Sequence, residues 1–221
     1  MTQPAVNPIP TCVILLFLPI VAVEIYVFGA EARLWGAFDA RIAIIREFAF
    51  APDGFRRTFA AGAWVPEVYW RMFTAPFVHW SLMQAMFASV FVLALGKFVA
   101  EAMGNIAVAL VFFVSNIIGL LAFTALTSST FPLAGAYPAA YGLIGAFTFV
   151  LFSRAQGMVR QQVAAFRLVG ILMLINIGMS LVGGGPPVWL AELVGAMTGF
   201  IAAACLRAGG MKYILAKIRG N

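Results

Sequence analysis

The stretch that decides the fold is residues 135–146, which reads Gly-Ala-Tyr-Pro-Ala-Ala-Tyr-Gly-Leu-Ile-Gly-Ala. Its glycines Gly142 and Gly145 lie three residues apart, and Gly195 and Gly199 lie four apart in a later apolar segment. Small residues at such spacing let two helix backbones approach closely inside a membrane. The sequence therefore predicts that these two segments pack against each other as membrane helices.

The rest of the chain is also strongly apolar. Hydrophobic residues make up 63% of the 221 residues and charged residues 10%, against roughly 45–50% and about 25% in soluble domains. The mean hydropathy is +1.00. This composition excludes a soluble enzyme, a nucleic-acid-binding protein and a disordered regulator. The net charge of +6 is interpreted as anchoring at the cytoplasmic face of a membrane.

Six apolar segments approach the length of about 20 residues that a membrane helix needs. They are 11–30, 81–100, 104–126, 137–153, 164–182 and 188–207. The sequence thus predicts an all-α membrane protein, a six-transmembrane-helix bundle in a single domain over 1–221. The first loop, 31–69, mixes apolar runs with charges at near-helical spacing, which is typical of helices that lie in the membrane interface.

Basic residues predict the orientation of the bundle. The face shared with the termini carries Lys97, Arg154, Arg160, Arg167, Arg207, Lys212, Lys217 and Arg219, whereas the opposite short loops at 128–135 and 183–187 carry no Lys or Arg. The positive-inside rule then places both termini in the cytoplasm. The first loop conflicts with this, because six arginines lie between Arg33 and Arg71. The short loops and the short apolar segment that forms the first helix favour a multi-pass protein of a bacterial inner membrane.

Metal and cofactor chemistry is not expected. The chain has one histidine and two isolated cysteines, Cys12 and Cys205. An ordinary zinc site needs more His and Cys ligands than that. We therefore expect no metal and no cofactor.

Three segments, in order, resemble the rhomboid family of intramembrane serine proteases. Residues 70–79 are similar to the family's Trp-Arg pair, which is followed by Phe-Thr and by the first His of the second membrane helix. Residues 135–146 are similar to its Gly-x-Ser-Gly motif and to the Tyr-Gly-Leu-x-Gly that follows it. Residues 191–199 resemble its Ala-His-x-x-Gly-x-x-x-Gly. The resemblance implies a six-helix fold with a long first loop. The matching positions outside the catalytic ones are Trp70, Arg71, Gly135, Tyr141, Gly142, Gly145, Gly195 and Gly199.

The catalytic positions implied by the resemblance are mostly changed. Tyr137 stands where the family carries its nucleophilic Ser, with Pro138 after it, and Glu192 stands at the general base His. Further along the second helix, Gln84 and Ala88 replace a His and an Asn of the family, whereas His79 matches.

These replacements predict the loss of serine-protease chemistry. A phenol is a poor acyl-transfer nucleophile, a carboxylate is a weaker base for an alcohol than imidazole, and Ala88 has no hydrogen-bond donor. Losing a triad nucleophile or base removes several orders of magnitude in rate. We therefore expect an inactive rhomboid-like pseudoprotease with no catalytic residues. We also expect a hydrogen bond between Tyr137 and Glu192, and we find no obvious partner for Glu24.

Three functions stay open. The leading one is binding of the transmembrane segments of client proteins, or service as an accessory subunit of a larger membrane complex. The family resemblance implies entry between helices two and five, where Met86, Phe87 and Phe91 are candidates to line the way. The second is an active protease with a rearranged site that pairs His79 with Ser81 or Thr148. The third is a small transporter, against which the few intramembrane charges argue.

Overall fold

The computed structural model describes residues 8–155 and 157–207, and their regular structure is helical. The helices are α1 Thr11–Glu31, α2 Ala40–Phe48, α3 Pro52–Ala60, α4 Pro66–Thr74, α5 Leu82–Met103, α6 Asn105–Leu126, α7 Tyr137–Arg154, α8 Val159–Ala165, α9 Arg167–Gly183 and α10 Trp189–Leu206. A 3-10 turn, Ala75–Phe77, follows α4. The basic residues Lys212, Lys217 and Arg219, on which part of the orientation argument rests, lie outside the described residues.

Five helical stretches of the described chain are long and apolar enough to cross a membrane. They are Thr11–Glu31, Leu82–Met103, Asn105–Leu126, Val159–Gly183 and Trp189–Leu206. The protein is thus an all-helical membrane protein. The predicted segment 164–182 differs most from the structure, because its helical stretch begins at Val159 and is divided into α8 and α9 around Phe166.

The helix α7 coincides with the predicted segment 137–153 but is not among these five. Two tyrosines, two glycines and a proline make this 18-residue helix less apolar than its neighbours. Eleven of its residues are buried, so protein rather than lipid surrounds most of it. A helix that other helices cover does not need the apolar composition of a lipid-facing span.

Glycines bring α7 and α10 into backbone contact. A Cβ atom added at Gly145 would overlap the Ala196 carbonyl oxygen, and one at Gly199 would overlap that of Gly142. Gly195 similarly faces the Pro138 carbonyl oxygen. Larger residues at these positions would force the two helices apart, so the small residues set the distance between them.

The first loop folds into helices that pack against the bundle. It contains α2, α3 and the start of α4, and an isolated bridge joins Phe50 to Leu133. The Arg56 side chain on α3 donates to the carbonyl oxygens of Thr124, Thr127 and Ser129 at 3.1, 3.1 and 2.7 Å. The first two bonds satisfy carbonyls at the C-terminal end of α6, which a helix cannot satisfy by itself, and the third holds the loop that follows.

The helix α9 is the most peripheral of the long helices. In the apolar 18-residue window of the stretch that contains it, 11% of the residues are buried, against 33–50% in the corresponding windows of the other four. Its one fully buried residue is Met173, and Val169 and Leu172 pack partly against the core. The remaining faces of α9 are available to lipid or to another protein.

Candidate functional site

His79 lies in the segment between the 3-10 turn and α5, and it is 2% exposed. Its Nε2 accepts a hydrogen bond from the Ala136 backbone N–H at 3.4 Å, and its carbonyl oxygen accepts one from Arg41 Nη1 at 3.1 Å. Burial, and secondarily the positive charge of Arg41, lower the pKa of His79 to about 4. The imidazole is therefore neutral at physiological pH.

Gln84 holds the segment that precedes α7. Its Oε1 accepts from the Trp80 N–H at 2.8 Å, and its Nε2 donates to the Ala134 carbonyl oxygen at 3.1 Å. Gly135 has φ +113°, and a Cβ there would lie 2.5 Å from Gln84 Nε2. The structure thus brings together Gln84, His79 and the backbone of Gly135 and Ala136, while Ala88, fully buried on α5, adds no donor.

Glu192 is buried near the start of α10, with 2% exposure. Its Oε2 accepts a hydrogen bond from Asn176 Nδ2 on α9, and the same Nδ2 lies 3.5 Å from the Tyr141 hydroxyl. The three side chains form a polar cluster that joins α7, α9 and α10. An interhelical hydrogen bond of this kind stabilises helix packing in a membrane.

The predicted hydrogen bond between Tyr137 and Glu192 is wrong. In the described part of the chain, the hydrogen bond to Glu192 comes from Asn176, whose Nδ2 also contacts the hydroxyl of Tyr141, one helical turn after Tyr137. Tyr137 is the first residue of α7 and is only partly buried. The signal for Asn176 was present in the sequence, because a lone amide within an apolar span usually bonds across helices.

The described residues contain no Ser or Thr hydroxyl that is hydrogen-bonded to His79 or to Glu192. The Ser81 hydroxyl instead accepts from the Gln84 N–H at 3.2 Å and caps α5. Thr148 lies eleven residues after Tyr137 on α7, about 16 Å along the helix. It is therefore far from the first turn of α7, where His79 bonds.

A family model described as Rhomboid domain matches residues 66–209. The chain belongs to the rhomboid family. The match covers almost two thirds of the chain and contains α4 to α10, with all three segments that resemble the family's motifs. A search among curated proteins found no matching sequence.

The rhomboid Trp-Arg pair, Trp70 and Arg71, lies on α4. The Trp70 ring meets the Phe48 ring edge-on at 5.5 Å between centroids, and Arg71 Nε is buried without a hydrogen-bond partner. On α6, Asn116 Nδ2 donates to the carbonyl oxygen of Met72 at 2.7 Å. This pair therefore lies where the first loop joins the bundle.

Glu24, which lacked an obvious partner in the sequence, is paired in this rhomboid. Arg41 Nη1 lies 3.1 Å from Glu24 Oε1, and Arg41 Nε lies 2.8 Å from Glu31 Oε1. Burial works against the Arg41 cation, but the hydrogen bonds to Glu31 and Glu24 raise its pKa above the ordinary value. The same guanidinium bonds the His79 carbonyl oxygen, so the ion cluster ties α1 and α2 to the His79 segment.

The residues proposed to line an entry face separate into different environments. Met86 lines a groove of about 580 Å³ between α1 and α5, together with Trp35 of the first loop. Phe87 is 52% exposed, whereas Phe91 packs partly against the core. The described residues contain no group of three His, Cys, Asp or Glu side chains that could hold a metal ion.

Proposed function

We propose that this rhomboid is a non-catalytic membrane protein that binds transmembrane helices of client proteins. The observation that carries the proposal is the hydrogen bond between Glu192 and Asn176. The bond occupies the carboxylate of Glu192, which stands at the family's base position, and the residue at the nucleophile position is a tyrosine, Tyr137. Without a paired hydroxyl and base, acyl transfer has no nucleophile.

The apolar outer face of α9 supports the client-binding part of the proposal. Leu174, Ile175 and Met179 are 74%, 53% and 71% exposed. On α5, Met83 and Phe87 are 61% and 52% exposed. Flexible methionines adapt to differently shaped partners, so each of these two apolar faces suits helices of varied sequence, whether of a client or of a larger complex.

The membrane arrangement is part of the same proposal. When α7 is counted with the other five, the chain crosses a bacterial inner membrane six times. Both termini then lie in the cytoplasm, and the C-terminal ends of α5, α7 and α10 face the cytoplasm. Arginines and a lysine at that end support this orientation. Reporter fusions at the loops 128–135 and 183–187 test it: both should report the periplasm, and a cytoplasmic signal from either would contradict the six-span arrangement.

A cleavage assay in liposomes tests the absence of activity. We expect the native chain to leave a generic rhomboid substrate intact. The double variant Tyr137→Ser with Glu192→His runs beside it and asks whether the scaffold still supports the chemistry. Cleavage by the native chain that disappears in His79→Ala would overturn the proposal and favour the protease with a rearranged site.

Photo-crosslinking in cells tests client binding. A photoreactive residue replaces Ile175 on α9, and the matched control replaces Ile118 on α6, which is 41% exposed. We expect membrane proteins to be captured from position 175 and not from position 118. Equal capture at both positions would mean random collision in the bilayer, and the binding proposal would fall.

A further inference from the structure

A small cavity lies where the C-terminal ends of α5, α7 and α10 meet. Its volume is about 180 Å³, and its walls include Met103, Phe149, Ser153, Arg154 and Arg207. A water molecule takes up about 30 Å³ in the liquid, so the space is several times larger than one water needs. The cavity therefore has room for a compact polar group between apolar and cationic walls.

Two guanidinium groups, those of Arg154 and Arg207, line this cavity. Neither Arg154 nor Arg207 makes an ion pair with any described residue. The Arg154 guanidinium lies over the Phe98 ring, 5.4 Å from its centroid, which holds the charge beside the cavity. The Ser153 hydroxyl donates to the Val150 carbonyl oxygen at 3.0 Å, so the arginines are the available donors.

The charge around the cavity favours an anion. Of the eight acidic residues, Glu101 alone lies at this end of the bundle, and it is 3.9 Å from Lys97. Three helix C-termini contribute about half a negative charge each, which the two arginines exceed. Arg160 and Arg167 add positive charge at the same end.

We propose that this cavity binds the phosphodiester of an anionic phospholipid. Guanidinium groups donate pairs of hydrogen bonds that match phosphate oxygens. Basic pockets between membrane helices are suited to such headgroups. The apolar wall formed by Met103 and Phe149 then continues toward the acyl chains, which distinguishes a lipid from a free phosphate. A zwitterionic choline headgroup fits less well, because its cation would face the arginines.

Titration of the delipidated, full-length protein in detergent tests the site. Thermal stabilisation is measured with short-chain phosphatidylglycerol, phosphatidylcholine and inorganic phosphate. We expect saturable stabilisation by phosphatidylglycerol alone. Equal stabilisation by phosphatidylcholine, or stabilisation by inorganic phosphate to the same extent, would overturn the proposal. This comparison uses the unmodified chain and does not depend on any variant folding.

Variants then locate the binding. At about 1 kcal/mol, or about fivefold, for each arginine near a lipid surface, Arg154→Gln with Arg207→Gln should weaken phosphatidylglycerol binding about 30-fold. The matched control is Arg160→Gln with Arg167→Gln, which removes the same charge at the same end but lies outside the cavity. Equal weakening in the control would show a diffuse basic surface and refute a specific site.

Discussion

The neutral state of His79 makes the stability of this protein depend on pH. An exposed imidazole has an ordinary pKa of 6.5, and burial lowers that of His79 to about 4. Because the unfolded chain then binds the proton more readily than the folded one, the contribution of the neutral His79 to stability is fully present above pH 6.5. It is lost as the pH falls from 6.5 toward 4.

The size of the effect follows from that pKa difference. At 1.36 kcal/mol for each pKa unit, the full loss is about 3 kcal/mol, of which about 2 kcal/mol is reached at pH 5. For a chain of this length, 1 kcal/mol moves the Tm by about 2–4 °C. The Tm at pH 5 should therefore lie about 4–8 °C below its value at pH 7.5 through this residue alone.

Comparison with a His79→Asn variant isolates the contribution of the imidazole. An asparagine oxygen can accept the Ala136 N–H but does not titrate in this range. Every other titrating group is shared by the two proteins, so the measured quantity is the difference between the two pH profiles in detergent. We expect the native protein to lose 4–8 °C more than the variant. Parallel profiles would refute the argument that the buried imidazole is held neutral.

Three further substitutions test the packing. Gly145→Ala places a Cβ against the α10 backbone and should cost about 1–3 kcal/mol in free energy of unfolding. The control Gly178→Ala, at a position that faces open space, should leave stability unchanged or raise it by up to about 1 kcal/mol. Equal Tm values for the two variants would contradict the close helix contact. Asn176→Leu should cost about 0.6–1.7 kcal/mol and increase proteolysis of the segment around residues 155–158; an unchanged cleavage rate would mean that the amide does not hold α9. Arg56→Gln should lower the free energy of unfolding by about 1–3 kcal/mol. The side chain of Arg57 is 78% exposed, so Arg57→Gln should change the free energy of unfolding by less than about 0.5 kcal/mol. Similar losses of Tm in both variants would exclude the capping role of Arg56.

The helices were predictable from the sequence because their signals are local. Runs of apolar residues located the long helices within a few residues, and the glycine spacing at 142, 145, 195 and 199 indicated the contact between α7 and α10. The division around Phe166 was not predictable, because apolar residues continue through it.

The polar contacts of the site were predictable only in part. The resemblance located Glu192 and His79, but their partners depend on how the helices are rotated about their axes. Asn176 is 16 residues from Glu192 and on another helix, and Arg41 is 17 residues from Glu24. Hydropathy does not determine which of several inward-facing polar residues meet, so it does not distinguish Tyr137 from Asn176 as the partner of Glu192.

The sparse attachment of α9 has a consequence for the equilibrium between bundle conformations. A contribution of about 1.4 kcal/mol from the Asn176 bond corresponds to a tenfold change in the population with α9 displaced. A partner that requires the displaced form binds with an apparent Kd equal to its intrinsic Kd divided by that population. Small changes in this one bond, or in the lipid around α9, would therefore tune the apparent affinity for any partner that enters beside this helix, without altering a residue that such a partner touches.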